Sequence, residues 1–228
     1  MSPIAENVER VRKRIAAAAR RAGRKPEAIR LVAATKGVEA ERVRLVVAAG
    51  AHEIGENYVQ EAAAKFAALA DLSTTRHLIG HLQRNKAGRA AELFDCVQSV
   101  DSEPLAHALG RRAVALGRTV EALLEVNIAG EASKWGVAPE EAPRLAEAVA
   151  SIPGLSLVGL MGMGPLGADE AAVRACFRQL AGLFERLPLP QRRVLSMGMS
   201  GDFEIAIEEG STMVRIGTAL FGQRRVTG

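Results

Sequence analysis

The stretch Ile29-Arg30-Leu31-Val32-Ala33-Ala34-Thr35-Lys36-Gly37 decides the fold. It is an apolar run of strand length that ends on a lysine and a glycine, with no GxGxxG and no P-loop behind it. An open, doubly wound sheet usually announces its nucleotide site with a glycine-rich turn after the first strand. Without one, the alternative closure of parallel strands is favoured, a (β/α)8 barrel. The count agrees: apolar runs occur at 29–35, 52–54, 76–79, 96–100, 120–126, 155–161, 193–197 and 213–216. Between them lie Ala-, Glu- and Arg-rich segments of helical periodicity, such as 38–49, 58–70, 103–116, 139–151 and 169–187. Strands alternating with helices imply parallel βαβ units. Ahead of them, Ser2 reads as an N-cap and Pro3 as the first helical residue, with Ile4, Val8, Val11 and Ile15 on one face and an end near Gly23. No linker divides the chain. Residues 1–228 therefore read as one α/β domain, a single (β/α)8 TIM barrel with an extra N-terminal helix.

Composition excludes several classes. With 48% apolar and 25% charged residues in 228, the chain is neither disordered nor fibrous. Thirty basic residues against 26 acidic ones is too thin a surplus to argue for a nucleic-acid or membrane partner. Cys96 and Cys176 have no CxxC spacing and read as small hydrophobes in a reducing compartment, not as a disulfide or metal site. Glu6, Glu9, Arg10, Arg12, Lys13 and Arg14 leave no room for a signal-peptide core. The longest uncharged stretch, 148–168, is broken by Pro153, Gly154, Gly159, Gly162, Gly164 and Pro165, so no spanning helix is expected and the cytoplasm is the expected compartment.

A barrel places its chemistry at the C-terminal ends of its strands. Read in order, those ends carry Lys36, Glu56-Asn57, Gly80-His81, Ser99 with Asp101, Asn127, Met161-Gly162-Met163-Gly164, Ser196 to Ser200, and Arg215-Ile216-Gly217-Thr218. Several have structural readings. His77 reads as a satisfied core or capping histidine, Asn57 as a cap for the helix from Tyr58, and Asp101 as a cap for the helix from Glu103. Gly198 and Gly217 read as turn glycines needing positive φ, and Met161 with Met163 as core packing. Lysine is rare: Lys13, Lys25, Lys36, Lys65, Lys86 and Lys134 are six of thirty basic residues, which directs attention to the amine of Lys36. The loops Ser196-Met-Gly-Met-Ser-Gly-Asp202 and Arg215-Ile-Gly-Thr-Ala219 place glycines and hydroxyls just before helical starts, where barrels commonly bind phosphate. Strand one neighbours strand eight across the closure. A ligand carrying both an aldehyde and a phosphate would bridge lysine and cup; pyridoxal 5'-phosphate is such a molecule.

Together Val32-Ala-Ala-Thr-Lys36-Gly, Gly55-Glu-Asn-Tyr-Val-Gln-Glu61, His77-Leu-Ile-Gly-His-Leu-Gln-Arg-Asn-Lys86, Asn127 with Glu131-Ala-Ser-Lys134-Trp-Gly136, Gly159-Leu-Met161, Leu195-Ser-Met-Gly-Met-Ser-Gly-Asp202 and Val214-Arg-Ile-Gly-Thr-Ala-Leu-Phe-Gly222 resemble the YggS/PROSC family, the pyridoxal-phosphate-binding proteins of vitamin B6 homeostasis. The resemblance implies a fold similar to the N-terminal barrel of alanine racemase. It implies Lys36 as the Schiff-base lysine, Ser200, Gly217 and Thr218 around the phosphate, Arg215 facing the pyridine nitrogen and Asn57 lining the ring. It implies no metal, and no partners beyond the cofactor and the apo forms of enzymes that use it. A monomer is expected. Arg76, Leu78 and Val38 depart from the family pattern, and the role of Lys134 is left open.

Two functions of different class compete. A carrier would hold pyridoxal phosphate, limit the free aldehyde and supply it to other enzymes. A racemase would need two bases, one on each face of the substrate adduct. Lys36 supplies one; in barrel racemases the other is a tyrosine from an added β-domain. Here the sequence ends six residues past Gly222 and its single tyrosine is Tyr58, so the second base is missing. An arginine at the ring nitrogen, always charged, also disfavours the protonated ring that stabilises carbanions. A lysine-dependent aldolase without cofactor is the third possibility; colour separates it, because lysine-bound pyridoxal phosphate is yellow.

Overall fold

In a computed structural model of the chain, residues 2–131 and 135–223 are described, so Lys134 lies outside the described residues. Eight parallel strands close into a barrel in chain order: β1 Arg30–Ala34, β2 Glu53–Glu56, β3 Thr75–Leu78, β4 Cys96–Val100, β5 Val120–Val126, β6 Leu155–Gly162, β7 Val194–Ser196 and β8 Met213–Ile216. Closure is direct, with Arg30 opposite Met213 and Val32 opposite Arg215. The helices are α1 Pro3–Arg21, α2 Ala40–Ala48, α3 Val59–Ala68, α4 Ala87–Leu93, α5 Glu103–Ala115, α6 Ala142–Ala150, α7 Glu170–Glu185, α8 Phe203–Glu208 and α9 Thr218–Phe221. The barrel read from the alternation is the one observed.

The apolar residues separate into two buried sets. The larger lies between sheet and helices; the smaller comprises Val32, Cys96, Leu123, Val158, Met161, Val194 and Met213. Cys96 is therefore packing material, and burial pushes its thiol up out of the reactive range. One irregularity shapes β6: Ala122 pairs with Leu157 but Leu123 pairs with Gly159, leaving Val158 as a bulge. A Cβ on Gly159 would lie 1.7 Å from the carbonyl oxygen of Val194, so only glycine lets β6 and β7 approach there.

The N-terminal helix begins as expected. Ser2 Oγ accepts from the amide of Ala5 at 3.2 Å, Pro3 opens the helix, and Ile4, Val8, Val11 and Ile15 are buried. Each such side chain contributes roughly 1.5–3 kcal/mol when fully buried. Its partners are the last helices of the chain. Asn7 Nδ2 donates to the carbonyl of Leu220 at 2.9 Å, Arg14 pairs with Glu204 at 2.8 Å, and Arg21 pairs with Glu208 at 2.8 Å. Among the described residues no helix is long and apolar enough to cross a membrane.

Three local expectations fail. Strand β2 runs on to Glu56, two residues beyond the apolar run, because the carboxylate is buried against a lysine and not released to a loop. Neither Asn57 nor Asp101 caps a helix. The caps of α3 and α5 are Tyr58 and Ser102, without side-chain bonds, and Asp101 Oδ1 instead accepts from Ser102 Oγ at 3.1 Å. Gly198 has the expected positive φ of 96°, but Gly217 sits at −114°, a conformation open to any residue.

Candidate functional site

Lys36 follows the buried Thr35 at the end of β1, half-buried, with both peptide neighbours anchored. Thr35 Oγ1 donates to Glu56 Oε1 at 2.6 Å, and the Gly37 amide donates to Glu61 Oε1 at 2.5 Å. Both carboxylates converge on Lys65, whose Nζ lies 2.6 Å from Glu56 Oε1, 2.6 Å from the carbonyl of Thr35 and 3.0 Å from Glu61 Oε1. The Lys65 ammonium is thus committed to three acceptors, while Lys36 is carried between two fixed points. Desolvation pushes the Glu56 carboxyl up, against the pull of Lys65 and Thr35. Sequence reading missed this clamp.

Beside Lys36 stands the closing strand. A Cβ on Gly217 would touch the carbonyl of Ala34 at 3.4 Å, so the loop after β8 runs alongside the end of β1. Ser200 Oγ accepts from the amide of Ala219 at 3.2 Å, tying the loop after β7 to the start of α9. Gly198 holds that loop in: a Cβ there would fall 2.6 Å from Ala206 Cβ and 2.8 Å from Phe203 Cα. Thr218 opens α9 and is exposed. Lys36, Ser200, Gly217 and Thr218 therefore follow three consecutive strands of the closed barrel, β7, β8 and β1.

Arg215 is 4% exposed on β8. Its Nη1 donates to Ser196 Oγ at 2.6 Å and its Nη2 to the carbonyl of Gly162 at 3.0 Å. Burial lowers its pKa to about 10, with Glu125 and Asp202 pulling the other way, so it stays charged at neutral pH. Asp202 Oδ1 accepts from the amide of Met199 at 2.6 Å, and burial raises its carboxyl.

Asn57 stands apart from that group. It lines a cavity of about 410 Å³ with Tyr58, His81, Lys86, Glu125 and Trp135, and Lys36, Ser200, Arg215, Gly217 and Thr218 are not among its walls. Gly80 presses close, since a Cβ would meet the Asn57 carbonyl at 2.5 Å. The His81 ring stacks on Trp135 at 3.5 Å. Two buried acceptors, Asn57 Oδ1 and Glu125 Oε2, have no hydrogen-bond partner. These orphans border the ring of strand ends that carries Lys36; beside them an amine, hydroxyls, backbone amides and a guanidinium form a donor set that fits an aldehyde-bearing phosphate.

Glu125 is a further residue that sequence reading missed. Burial, reinforced by Asp101, pushes its carboxyl from 4.5 up to about 7 despite Arg215. A raised folded value means that stability is fully present below the ordinary carboxylate range and lost as pH rises through about 7. Glu125→Gln is expected to match the wild type near pH 4.5 and to exceed it at pH 8 by on the order of 3 kcal/mol. Urea unfolding at the two pH values measures this; an equal difference at both would refute it.

The family description "alanine racemase, N-terminal domain" matches residues 6–225. A "pyridoxal phosphate homeostasis protein" of Pseudomonas aeruginosa is 49% identical over 224 residues, covering 98% of this chain and 97% of that one. The chain belongs to the pyridoxal phosphate homeostasis protein family. The crystal structure of an unknown protein from Bifidobacterium adolescentis superposes with a TM-score of 0.90 at 43% identity, covering 96% of this chain and 94% of that one. PipY of Synechococcus elongatus PCC7942, solved with PLP bound, superposes with a TM-score of 0.80 at 38% identity, covering 96% of this chain and all of that one. Within the pyridoxal phosphate homeostasis protein family the departures noted above fall on packing positions. Arg76 lies over the Phe66 ring at 4.9 Å, Leu78 is fully buried, and the Val38 amide donates to the Thr35 carbonyl at 3.0 Å.

Proposed function

We propose that this chain binds pyridoxal 5'-phosphate at the C-terminal mouth of its barrel and serves vitamin B6 homeostasis as a carrier, holding the cofactor and supplying it to apo enzymes. Residues 1–228 act as one binding unit in this reading. The observation that carries it is the juxtaposition of Lys36 at the end of β1 with the β7 and β8 loops that Ser200 ties together, above the buried Arg215. When bound, the cofactor supplies an aldehyde for an amine and a dianion for hydroxyls and amides. Lys36 is the amine, fixed on both sides by the Glu56–Lys65–Glu61 clamp. Ser200 and Thr218 offer hydroxyls, and Gly217 brings backbone close. Arg215 keeps its proton at neutral pH and so donates to a ring nitrogen without protonating it. Asn57 offers its orphaned oxygen toward the ring from the neighbouring wall. The name of the Pseudomonas aeruginosa relative and the cofactor bound by PipY support the same reading.

The phosphate cup is tested by ligand choice. A hydrogen bond to a charged group contributes ~1.5–3 kcal/mol, so Ser200→Ala or Thr218→Val is expected to weaken pyridoxal phosphate roughly ten- to a hundred-fold, at ~1.4 kcal/mol per decade. Pyridoxal itself should change little. Equal losses for both ligands would make the hydroxyls structural.

The carrier is separated from the racemase by proton chemistry at the amino-acid α-carbon. Two groups lining the cavity beside the site, Tyr58 and Glu125, are candidate second bases, although Tyr58 is 63% exposed. The loaded protein is expected to give no detectable deuterium exchange into L-alanine or a panel of other amino acids. Exchange at tens of turnovers per second, abolished by Tyr58→Phe or Glu125→Gln, would replace the carrier with an enzyme.

A further inference from the structure

The barrel interior contains a polar thread that neither the fold nor the cofactor reading requires. It starts at Arg215, whose Nη1 donates to Ser196 Oγ at 2.6 Å. Ser196 Oγ donates to Gln98 Oε1 at 2.7 Å, and Gln98 Nε2 lies 3.1 Å from His77 Nδ1. His77 Nε2 lies 3.1 Å from Glu53 Oε2, and Arg30 holds the Glu53 carboxylate with two bonds of 2.9 and 2.8 Å. Ser196, Gln98 and His77 are fully buried. The thread crosses from β8 through β7, β4, β3 and β2 to β1, and it ends at the rim opposite the mouth, where Arg30 and Glu53 line a surface cleft.

Its polarity is fixed from Arg215 as far as His77. Arginine only donates, so Ser196 must accept from Arg215 and spend its own hydrogen on Gln98 Oε1. That places the Gln98 amide nitrogen toward His77, which must accept at Nδ1 and carry its hydrogen on Nε2, facing the carboxylate. Glu53, drawn down by His77 and Arg30 against the cost of burial, keeps its carboxylate 3.1 Å from Nε2, close enough for charge attraction but outside hydrogen-bond geometry. A buried amide, imidazole and hydroxyl in a barrel interior, where branched apolar side chains dominate, are costly unless each is satisfied. What the arrangement achieves locally is one orientation for the Arg215 guanidinium.

We propose that Ser196, Gln98 and His77 are positioning residues that hold the Arg215 guanidinium in the orientation that faces the cofactor's ring nitrogen. The proposal rests on the pyridoxal-phosphate reading above. The thread makes the contact specific: Arg215 donates to the nitrogen because Ser196 occupies its other edge and is itself held by Gln98.

The decisive measurement compares two ligands, pyridoxal 5'-phosphate and its carbocyclic analogue with carbon in place of the ring nitrogen. Wild-type protein is expected to prefer the natural cofactor by about tenfold or more, the size of one charge-assisted hydrogen bond. Ser196→Ala and Gln98→Met are expected to reduce that preference to about threefold or less, with the affinity for the analogue held within about twofold. Ser196→Thr, which keeps the hydroxyl, should restore the preference. In the cofactor-free protein, ¹⁵N spectra should show the Arg215 guanidinium protons exchanging faster in Gln98→Met than in wild type, although Gln98 does not touch Arg215. A purely structural thread would lower the affinity for both ligands together, and that result overturns the proposal. If Gln98→Met does not fold, Ser196→Ala and Ser196→Thr carry the test. Wild-type protein that binds both ligands equally refutes the facing of Arg215 to the ring; wild-type protein that binds neither refutes the cofactor reading itself.

Discussion

Borohydride added to the protein loaded with pyridoxal 5'-phosphate will fix the cofactor on the peptide that contains Lys36, and Lys36→Ala will abolish both the label and the yellow absorbance. The structure sorts the competing amines. Lys65 is buried and gives its ammonium to Glu56, Glu61 and the Thr35 carbonyl, so it has no lone pair to offer. Lys13 pairs with Glu9 on the flank of α1, and Lys25 caps the short 3-10 turn Pro26–Ala28 that leads into the start of β1, the end of that strand away from Lys36. Lys86 lines the cavity beside Asn57, whose walls include none of Ser200, Gly217 and Thr218. Among the lysines of the described residues, Lys36 is the one that follows β1, the strand paired with β8 just before Gly217. A label recovered mainly on Lys86 or Lys134 would refute the assignment, and peptide mass analysis after digestion reads it directly.

Lys65→Met is expected to cost about 3–5 kcal/mol, because it leaves the fully buried Glu56 without its cation. For a chain of this size that corresponds to a fall in melting temperature on the order of 10 °C. The loss has a pH signature. With its carboxyl raised, Glu56 favours the folded state when protonated, so the variant should recover toward acid pH and lose stability as pH rises. The double variant Lys65→Met, Glu56→Gln should recover much of the loss at neutral pH. A single-variant cost below about 1 kcal/mol would mean that water reaches Glu56 and that the clamp around Lys36 is open. The second consequence is functional: with Thr35 and Gly37 released, reducible labelling at Lys36 should slow while the phosphate contacts remain.

What was legible in the sequence and what was not follows from the range of the forces. Strand runs, the helix from Ser2 and Pro3, and the ring of polar residues at strand ends are written in short-range periodicity, and they appear where expected. Lys36 and the cup residues come together because barrel closure makes the first and last strands neighbours. The Glu56–Lys65 pair is different. Its partners are nine residues apart on a strand and a helix, and no periodicity links them. Glu125 and Gln98 look in sequence like polar interruptions of apolar strands, and Ser196 reads as the start of a loop where the structure puts it buried on β7. Their environment is set by side chains on other strands, which only the closed barrel supplies. Asn57 and Asp101 failed as caps for a similar reason. A buried wall and a neighbouring serine won over the helix ends they precede. His77 was read as a satisfied core histidine; it is buried in the core, but only its Nδ1 is paired, with Gln98 of another strand, and Nε2 has no hydrogen-bond partner although Glu53 lies 3.1 Å away.

The contacts of α1 also bear on how the chain is made. Asn7 meets Leu220 across 213 residues of intervening sequence, and Arg14 meets Glu204 across 190. At ~5–20 residues added per second, the first helix waits roughly 10–40 s on the ribosome before its partners exist. Through that interval the stripe of Ile4, Val8, Val11 and Ile15 has nothing to cover it. A nascent chain with such a stripe is a natural client for the chaperones that meet emerging polypeptides, and slowing of translation lengthens the exposure. The segments α8 and α9, made some two hundred residues later, both complete the cup and release the first helix from waiting. Ligand competence and the burial of this early hydrophobic surface therefore arrive together, once α9 is made.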